Sequence, residues 1–372
     1  MGKAARNHGI DLLRILSMLG VVFLHTLGHG GILGIAQSPD KFAVVWFLEI
    51  LAYPAVNCFV LISGFVGYRG EKIFPRLKSL LVLMFTVFFY NFGFYALFTL
   101  LRPETFTVKE LFLNLFPTYG NKYWFFTTYF ALFLLSPFLN LLVHKTDFRR
   151  AFLLLLTVGL FSILSVHRDN FYLMEGYSVL WFVLMYLTGA ILKKHSLHTV
   201  LSKKLCLLAV AIAFLITWLS KVLLHVSAVP ALQAHSGDLV NYVSPTIVVM
   251  AVGLLILFSN ATVSARASGI LSFLASSAFS VYLIHDNSYV RMYLISNLHK
   301  FAVNFGPVLL AVYVVCCAAA IFLFCILADK VRIGIFRLLK LDPLAQRIED
   351  FCKSGFRKLC SLAEQAAEKT EG

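Results

Sequence analysis

Long apolar runs, separated by short clusters of Lys and Arg, fill the chain from residue 10 to residue 328. Ten runs stand out: 10–27, 42–68, 78–101, 123–143, 150–166, 177–192, 205–225, 242–259, 270–286 and 303–328. Each approaches the roughly 20 apolar residues that a helix needs to cross a bilayer. The runs are apolar on every face, as helices buried in lipid are. The expected fold is therefore all-α, a polytopic membrane protein with about ten transmembrane helices. Two stretches break the pattern. Phe106–Pro117, a short apolar segment after a polar break, predicts a helix lying on the outer surface. Beyond Asp342-Pro343, residues Leu344, Ile348, Phe351, Phe356, Leu359 and Leu362 recur at steps of three to five with charges between them. That spacing predicts an amphipathic helix on the inner leaflet, with a soluble tail helix as the alternative. The chain thus divides into a membrane domain, 1–328, and a basic amphipathic tail, 329–372. No internal repeat is visible, so the inverted-repeat plan of many transporters gains no support.

Composition sharpens this picture. The 372 residues are 60% hydrophobic and 13% charged, against about 25% charged in a soluble domain. An ordinary soluble enzyme, a disordered regulator and a disulfide-stapled module are excluded. The net charge of +14 does not indicate a nucleic-acid partner, because the basic residues lie between apolar runs instead of forming one surface. They orient the helices. With the N-terminus inside, 24 of the 32 Lys and Arg fall in inner segments and 8 in outer ones. The positive-inside rule then predicts that both termini are cytoplasmic. Asp11 and Arg14 interrupt the first run and no small-residue cleavage site follows, so it is read as a span and not as a signal peptide. The seven cysteines lie in apolar runs or the basic tail, so no disulfide framework is implied.

Ionisable residues within spans are the informative ones, since each is costly in lipid unless paired or hydrated. The first span carries Asp11, Arg14 and His25. Arg14 and His25 are close to three helical turns apart, hence on one face, with a rise of roughly 16 Å between them. A cation near the inner surface and an imidazole in the outer half suit a long substrate, such as a nucleotide with phosphates at one end and a reactive group at the other. The alternatives are an inner-surface anchor paired with Asp11, and a structural histidine bonded to a neighbouring helix. His25 and His29 have the i, i+4 spacing of a metal pair, but Gly28, Gly30 and Gly31 end the helix and the sequence offers no third ligand, so no metal is expected. In the ninth span, Tyr282 and His285 of the segment Ser280–Asp286 share a face at the outer end. Glu49 reaches a similar depth and is expected to fix an imidazole tautomer, or else to pair with Lys41. Asn57 and Asn91 read as hydrogen-bonding contacts between helices.

These residues resemble a known family. Asp11-Leu-Leu-Arg14, with ten residues between the arginine and His25, resembles the arginine–histidine signature of the acyltransferase-3 family of integral membrane acyltransferases. Val60-Leu-Ile-Ser63-Gly64-Phe65, Tyr123-Trp124-Phe125 leading to Leu135-Ser136-Pro137, and Ser280-x-Tyr282-x-x-His285 are similar to further segments of it, in order, over most of 8–328. The resemblance implies an acyl-CoA donor, usually acetyl-CoA, bound from the cytoplasm, and a hydroxyl on an envelope or exported glycan as acceptor. It also implies a bacterial plasma membrane. Arg14 would take the donor-binding role, with Asp11 beside it, and His25 the catalytic one. Arg76 and Lys78 stand where the family often carries a basic pair, although a lysine lacks the bidentate fork for phosphate. Trp124 and Ser280 are expected at the acceptor cavity.

Acyl transfer from a thioester requires a base for the attacking hydroxyl and donors for the oxyanion. His25 is the expected base. Tyr282 or His285 would orient the acceptor or stabilise the oxyanion, and an acyl-histidine intermediate is equally compatible. Two other classes fit the spans. A transporter of a lipid-linked sugar or small anion would release no free CoA, and a sensor or scaffold would depend on residues 343–372 and not on His25.

Overall fold

The computed structural model describes residues 6–70 and 76–371. Lys3 and Lys72 of the charge pattern lie outside them. Among the described residues there are helices and no strands. All ten apolar runs fold as helix, but not as ten equal rods. The first is α1 (His8–Leu27), started by Asn7, whose side chain accepts from the Ile10 amide. The second breaks into α2 (Pro39–Ala52) and α3 (Ala55–Gly67) at Tyr53-Pro54, because proline has no amide hydrogen to continue the ladder. Next come α4 (Leu77–Leu101), α5 (Trp124–Lys145), α6 (Phe148–Leu164), α7 (Val179–Lys194), α8 (Lys203–His225) and α9 (Pro245–Ser259). The ninth run breaks into α10 (Ala265–Ala275) and α11 (Ala278–His285), and the tenth forms α12 (Pro307–Leu338).

Among the described residues, seven helical stretches are long and apolar enough to cross a membrane: α1, α2 with α3, α4, α5, α8, α10 with α11, and α12. The other three differ from the expectation of ten full spans. With 17, 16 and 15 residues, α6, α7 and α9 reach at most about 25 Å at 1.5 Å per residue, short of a core of about 30 Å.

Helix α1 is central and packs against α2, α3, α9, α10, α11 and α12. At the periphery, α8 turns Leu205, Leu208, Ile212, Ile216 and Leu223 outward, an apolar exterior of the kind lipid covers. The tightest crossing joins α3 and α7. A Cβ on Gly64 would sit 2.0 Å from the Tyr186 carbonyl oxygen, and one on Gly189 2.1 Å from that of Leu61. Small residues there let the two backbones touch. Asn57 ties three segments, donating to the Tyr242 carbonyl at 2.7 Å and accepting from Trp181 Nε1 at 3.0 Å. Asn91 donates to the Asn114 carbonyl at 2.9 Å, holding the short helix Val108–Leu115, which forms where the sequence predicts one.

The tenth run ends later than its charges suggest. α12 continues past residue 328 because Asp329 is fully buried, accepting from Tyr90 Oη at 2.8 Å and from Arg332 Nε and Nη2 at 2.8 and 2.9 Å. The tail forms α13 (Leu341–Glu371), which packs on α4 and leaves Phe351, Leu359 and Leu362 exposed. Its Glu349 accepts from the Lys78 amide at 2.5 Å and pairs with Lys353.

Candidate active site

The expected histidines meet. His25 Nδ1 lies 2.9 Å from His285 Nε2, joining α1 to α11. His285 Nδ1 lies 2.6 Å from the Val281 carbonyl oxygen one turn earlier. A carbonyl can only accept, so His285 Nδ1 carries its hydrogen and, in the neutral ring, Nε2 is the acceptor. His25 Nδ1 must then donate to it. The chain of two bonds leaves the lone pair of His25 Nε2 without a hydrogen-bond partner among the described residues. That is the arrangement of a base whose tautomer is fixed from behind.

His25 lines a cavity of about 300 Å³ at one end of the bundle, and His285 stands behind it. Trp124, Tyr53, Tyr177 and Tyr242 form aromatic walls. Tyr282 faces His25, their ring centroids 6.4 Å apart, and its buried hydroxyl makes no hydrogen bond. Glu49 is buried in the same wall with Oε2 unpaired. The role of fixing the imidazole, expected of Glu49, falls to His285. Nor does Glu49 pair with Lys41, whose ammonium reaches the Val303 carbonyl at 3.5 Å.

Asp286, next to His285, gathers charge at this end. Its Oδ1 lies 3.6 Å from His25 Nδ1, 3.6 Å from His29 Nε2 and 3.3 Å from Arg291 Nη1. His25, His29 and Asp286 therefore offer three atoms within 4.8 Å of one another, and Asp286 is the third member that the sequence did not provide. The donor set fits a metal poorly. Arg291 already neutralises the carboxylate, and His25 Nδ1 donates to His285. His29, beyond the end of α1, is held below its ordinary value by burial; Asp286 opposes the shift and Arg291 reinforces it.

A second cavity, about 250 Å³, lies on the next turns of the same helices. Along α1 the lining passes from His25, Val21 and Met18 to Arg14; along α3 from Phe59 to Ser63; along α5 from Phe125 to Tyr129 and Asn140. Phe125 spans the boundary, its ring 6.1 Å from both Phe59 and Tyr129. Arg14, Arg69 and Arg76 all line this second cavity. Arg14 Nη1 is braced at 3.0 Å by Asp11 Oδ1, while Arg6 and His8 contact Oδ2 of the same carboxylate.

Most of the residues singled out by the sequence thus gather at two places. His25, Tyr282, Glu49 and Trp124 line one cavity, with His285 bonded to His25 behind it, and Arg14 and Arg76 line the other. Three stand elsewhere. Asp11 is buried behind Arg14 as its anchor and lines neither cavity. Lys78 lies 3.9 Å from Asp342 of the tail and leaves the second cavity to Arg69, which sequence reasoning counted only as a topological charge. Ser280 is buried toward Asp329 of α12 and lines neither cavity. Arg291, Tyr177 and Tyr242 were also missed. They come from connections whose approach to α1 no periodicity signals.

The sequence profile of an acyltransferase domain, that of the acyltransferase-3 family, matches residues 7–329. No curated protein and no solved structure matches the chain. The match runs from α1 into α12 and includes both cavities, and the chain belongs to the acyltransferase-3 family of membrane acyltransferases.

Proposed function

We propose that this acyltransferase-3 protein moves an acetyl or other short acyl group from cytoplasmic acyl-CoA to a hydroxyl of a cell-envelope or exported glycan. Its setting is a bacterial plasma membrane, crossed ten times with both termini cytoplasmic, the bilayer thinning around the short helices α6, α7 and α9. In that orientation the three-arginine cavity faces the cytoplasm and the two-histidine cavity the outside. The observation that carries this reading is the pair of cavities on successive turns of α1, α3 and α5, one cationic and one holding a paired imidazole.

Acetyl-CoA here is the acyl-donor substrate. Arg14, Arg69 and Arg76 would bind its phosphates, with guanidinium forks suited to that geometry. Its acyl-bearing arm would run past Phe125 along α1, about 16 Å from Arg14 to His25. The aromatic walls and the Glu49 carboxylate supply stacking faces and a hydroxyl acceptor of the kind a sugar needs. His25 Nε2 takes the proton of the attacking hydroxyl and the new C–O bond forms. The Tyr282 hydroxyl donates to the tetrahedral oxyanion. Collapse breaks the C–S bond, and the CoA thiolate recovers the proton from His25. The products are an ester and free CoA. His285 touches neither reactant; it positions His25. Lipids are the remaining partner, covering α8 and the exposed apolar face of α13.

The test uses nanodiscs, acetyl-labelled acetyl-CoA and a crude envelope glycan fraction. Label entering glycan with one free thiol per label, and lost in folded Arg14→Ala and His25→Ala, is the expected result. Undiminished labelling in His25→Ala refutes the proposed base. Donor binding without thiol release, across envelope glycan fractions, refutes acyl transfer to these acceptors.

A further inference from the structure

A second cluster of potential ligands lies outside both cavities. His167, in the connection after α6, and His235, at the end of the short helix Pro230–Ala234, converge on Asp238. His235 Nδ1 is 2.8 Å and His167 Nδ1 3.3 Å from the same oxygen, Asp238 Oδ2, with the imidazole centroids 4.7 Å apart. Two connections far apart in sequence thus bring two nitrogens and one oxygen to a point, all within 4.8 Å of one another.

We infer that His167, His235 and Asp238 form a binding site for a divalent transition-metal ion that clips these two connections together. Two imidazoles and a carboxylate are donors of the Zn²⁺ type, not those of Mg²⁺ or Ca²⁺, which take oxygen alone. With metal–ligand bonds near 2.0–2.2 Å at tetrahedral angles, neighbouring ligand atoms stand about 3.3 Å apart. The His167–Asp238 separation already has that value. The His235–Asp238 separation must open by about 0.5 Å, which half-exposed side chains can do.

The surroundings hold the ligands near this geometry. Asp169 accepts from the Leu173 and Met174 amides at 2.8 and 2.5 Å, fixing the loop after His167. The Asp238 carbonyl accepts from Asn241 Nδ2 at 2.9 Å, and Asn241 Oδ1 accepts from the Ser244 amide at 2.7 Å. A cavity of about 70 Å³ borders His167, room for water to complete the coordination. The cluster differs from His25–His29–Asp286 in one respect that matters: no arginine pairs with its carboxylate among the described residues. The same two connections carry Tyr177 and Tyr242, whose rings stand 5.4 Å apart in the wall of the His25 cavity. A bound ion would restrain that wall.

The test needs no activity. Zn²⁺ binding to untagged protein in detergent is measured by calorimetry for the native chain, His167→Ala, His235→Ala, Asp238→Asn and His29→Ala. The expected result is one ion per chain, weakened by at least about tenfold in each of the first three variants and retained in His29→Ala. Zn²⁺ should raise the thermal midpoint of the native protein and not of His235→Ala, while without metal the two melt alike. Equal Zn²⁺ affinity in native and His235→Ala overturns the inference. So does loss confined to His29→Ala, or no binding by native protein that melts cooperatively.

Discussion

If His285 acts by holding His25 in one tautomer, replacing it should slow the reaction without touching donor binding. His285→Ala deletes the 2.9 Å bond from His25 Nδ1 and strands that N–H in a buried site. Losing such a bond and leaving its donor unpaired costs about 1–3 kcal/mol, a fall in kcat of roughly 5- to 150-fold. Removing His25 itself removes the base, worth on the order of 10²–10⁴ in rate. His285→Gln places an amide oxygen near the lost acceptor and should recover part of the rate. Steady-state kinetics with acetyl-CoA and a defined glycan acceptor would give kcat and the donor KM for each variant. The prediction is an ordered series in kcat, native above His285→Gln above His285→Ala above His25→Ala, at unchanged donor KM. A His285→Ala enzyme with native kcat would refute the positioning argument. One as impaired as His25→Ala would assign His285 a direct chemical role instead.

The other expectations concern binding and packing. Arg69→Ala should raise the donor KM, with the native KM itself rising with salt, whereas Lys78→Ala should leave it near native, because Lys78 faces the tail and not the cavity; equal effects on KM would contradict that division. Gly64→Val should lower the thermal midpoint, since its Cβ would meet the Tyr186 carbonyl at 2.0 Å and force α3 from α7, an overpacking cost of about 1–3 kcal/mol or more; an unchanged midpoint refutes the close crossing. Burial pushes the Glu349 carboxyl up, but its bonds to Lys353 and the Lys78 amide prevail, and its pKa is held below the ordinary 4.5. A lowered carboxyl favours docking above the free value and loses that contribution as pH falls through the lowered one. Fluorescence transfer between α13 and α4 should therefore drop in acid below that range, and in Glu349→Gln at neutral pH; an acid-independent signal contradicts the docking role.

Much of this architecture is legible in the amino-acid order because lipid imposes a simple rule on it: runs of apolar residues become helices, and all ten expected segments do. What the runs hide is where a helix breaks or shortens. Tyr53-Pro54 interrupts a run that hydropathy reads as continuous, and the breaks at Ser276-Ser277 leave no hydrophobic trace. Asp329 and Arg332 look like the end of a span because their mutual neutralisation, and the Tyr90 hydroxyl, come from the fold. At the site, Arg14 and His25 were visible because one helix carries both. The bond between His25 and His285 was not, since depth in the bilayer places two residues at one level but not in contact. Lys78 was expected at the donor site because it stands where the family often carries a basic pair, and position in the chain does not tell a cavity from a tail helix.

In the proposed reaction the acyl group crosses the protein between its two cavities. The direct measurement uses sealed proteoliposomes with the Arg14 end facing the lumen, acetyl-labelled acetyl-CoA inside only and acceptor glycan outside only. Label on the external glycan, with free CoA retained in the lumen, is the expected result. Transfer only when donor and acceptor share one side would contradict it.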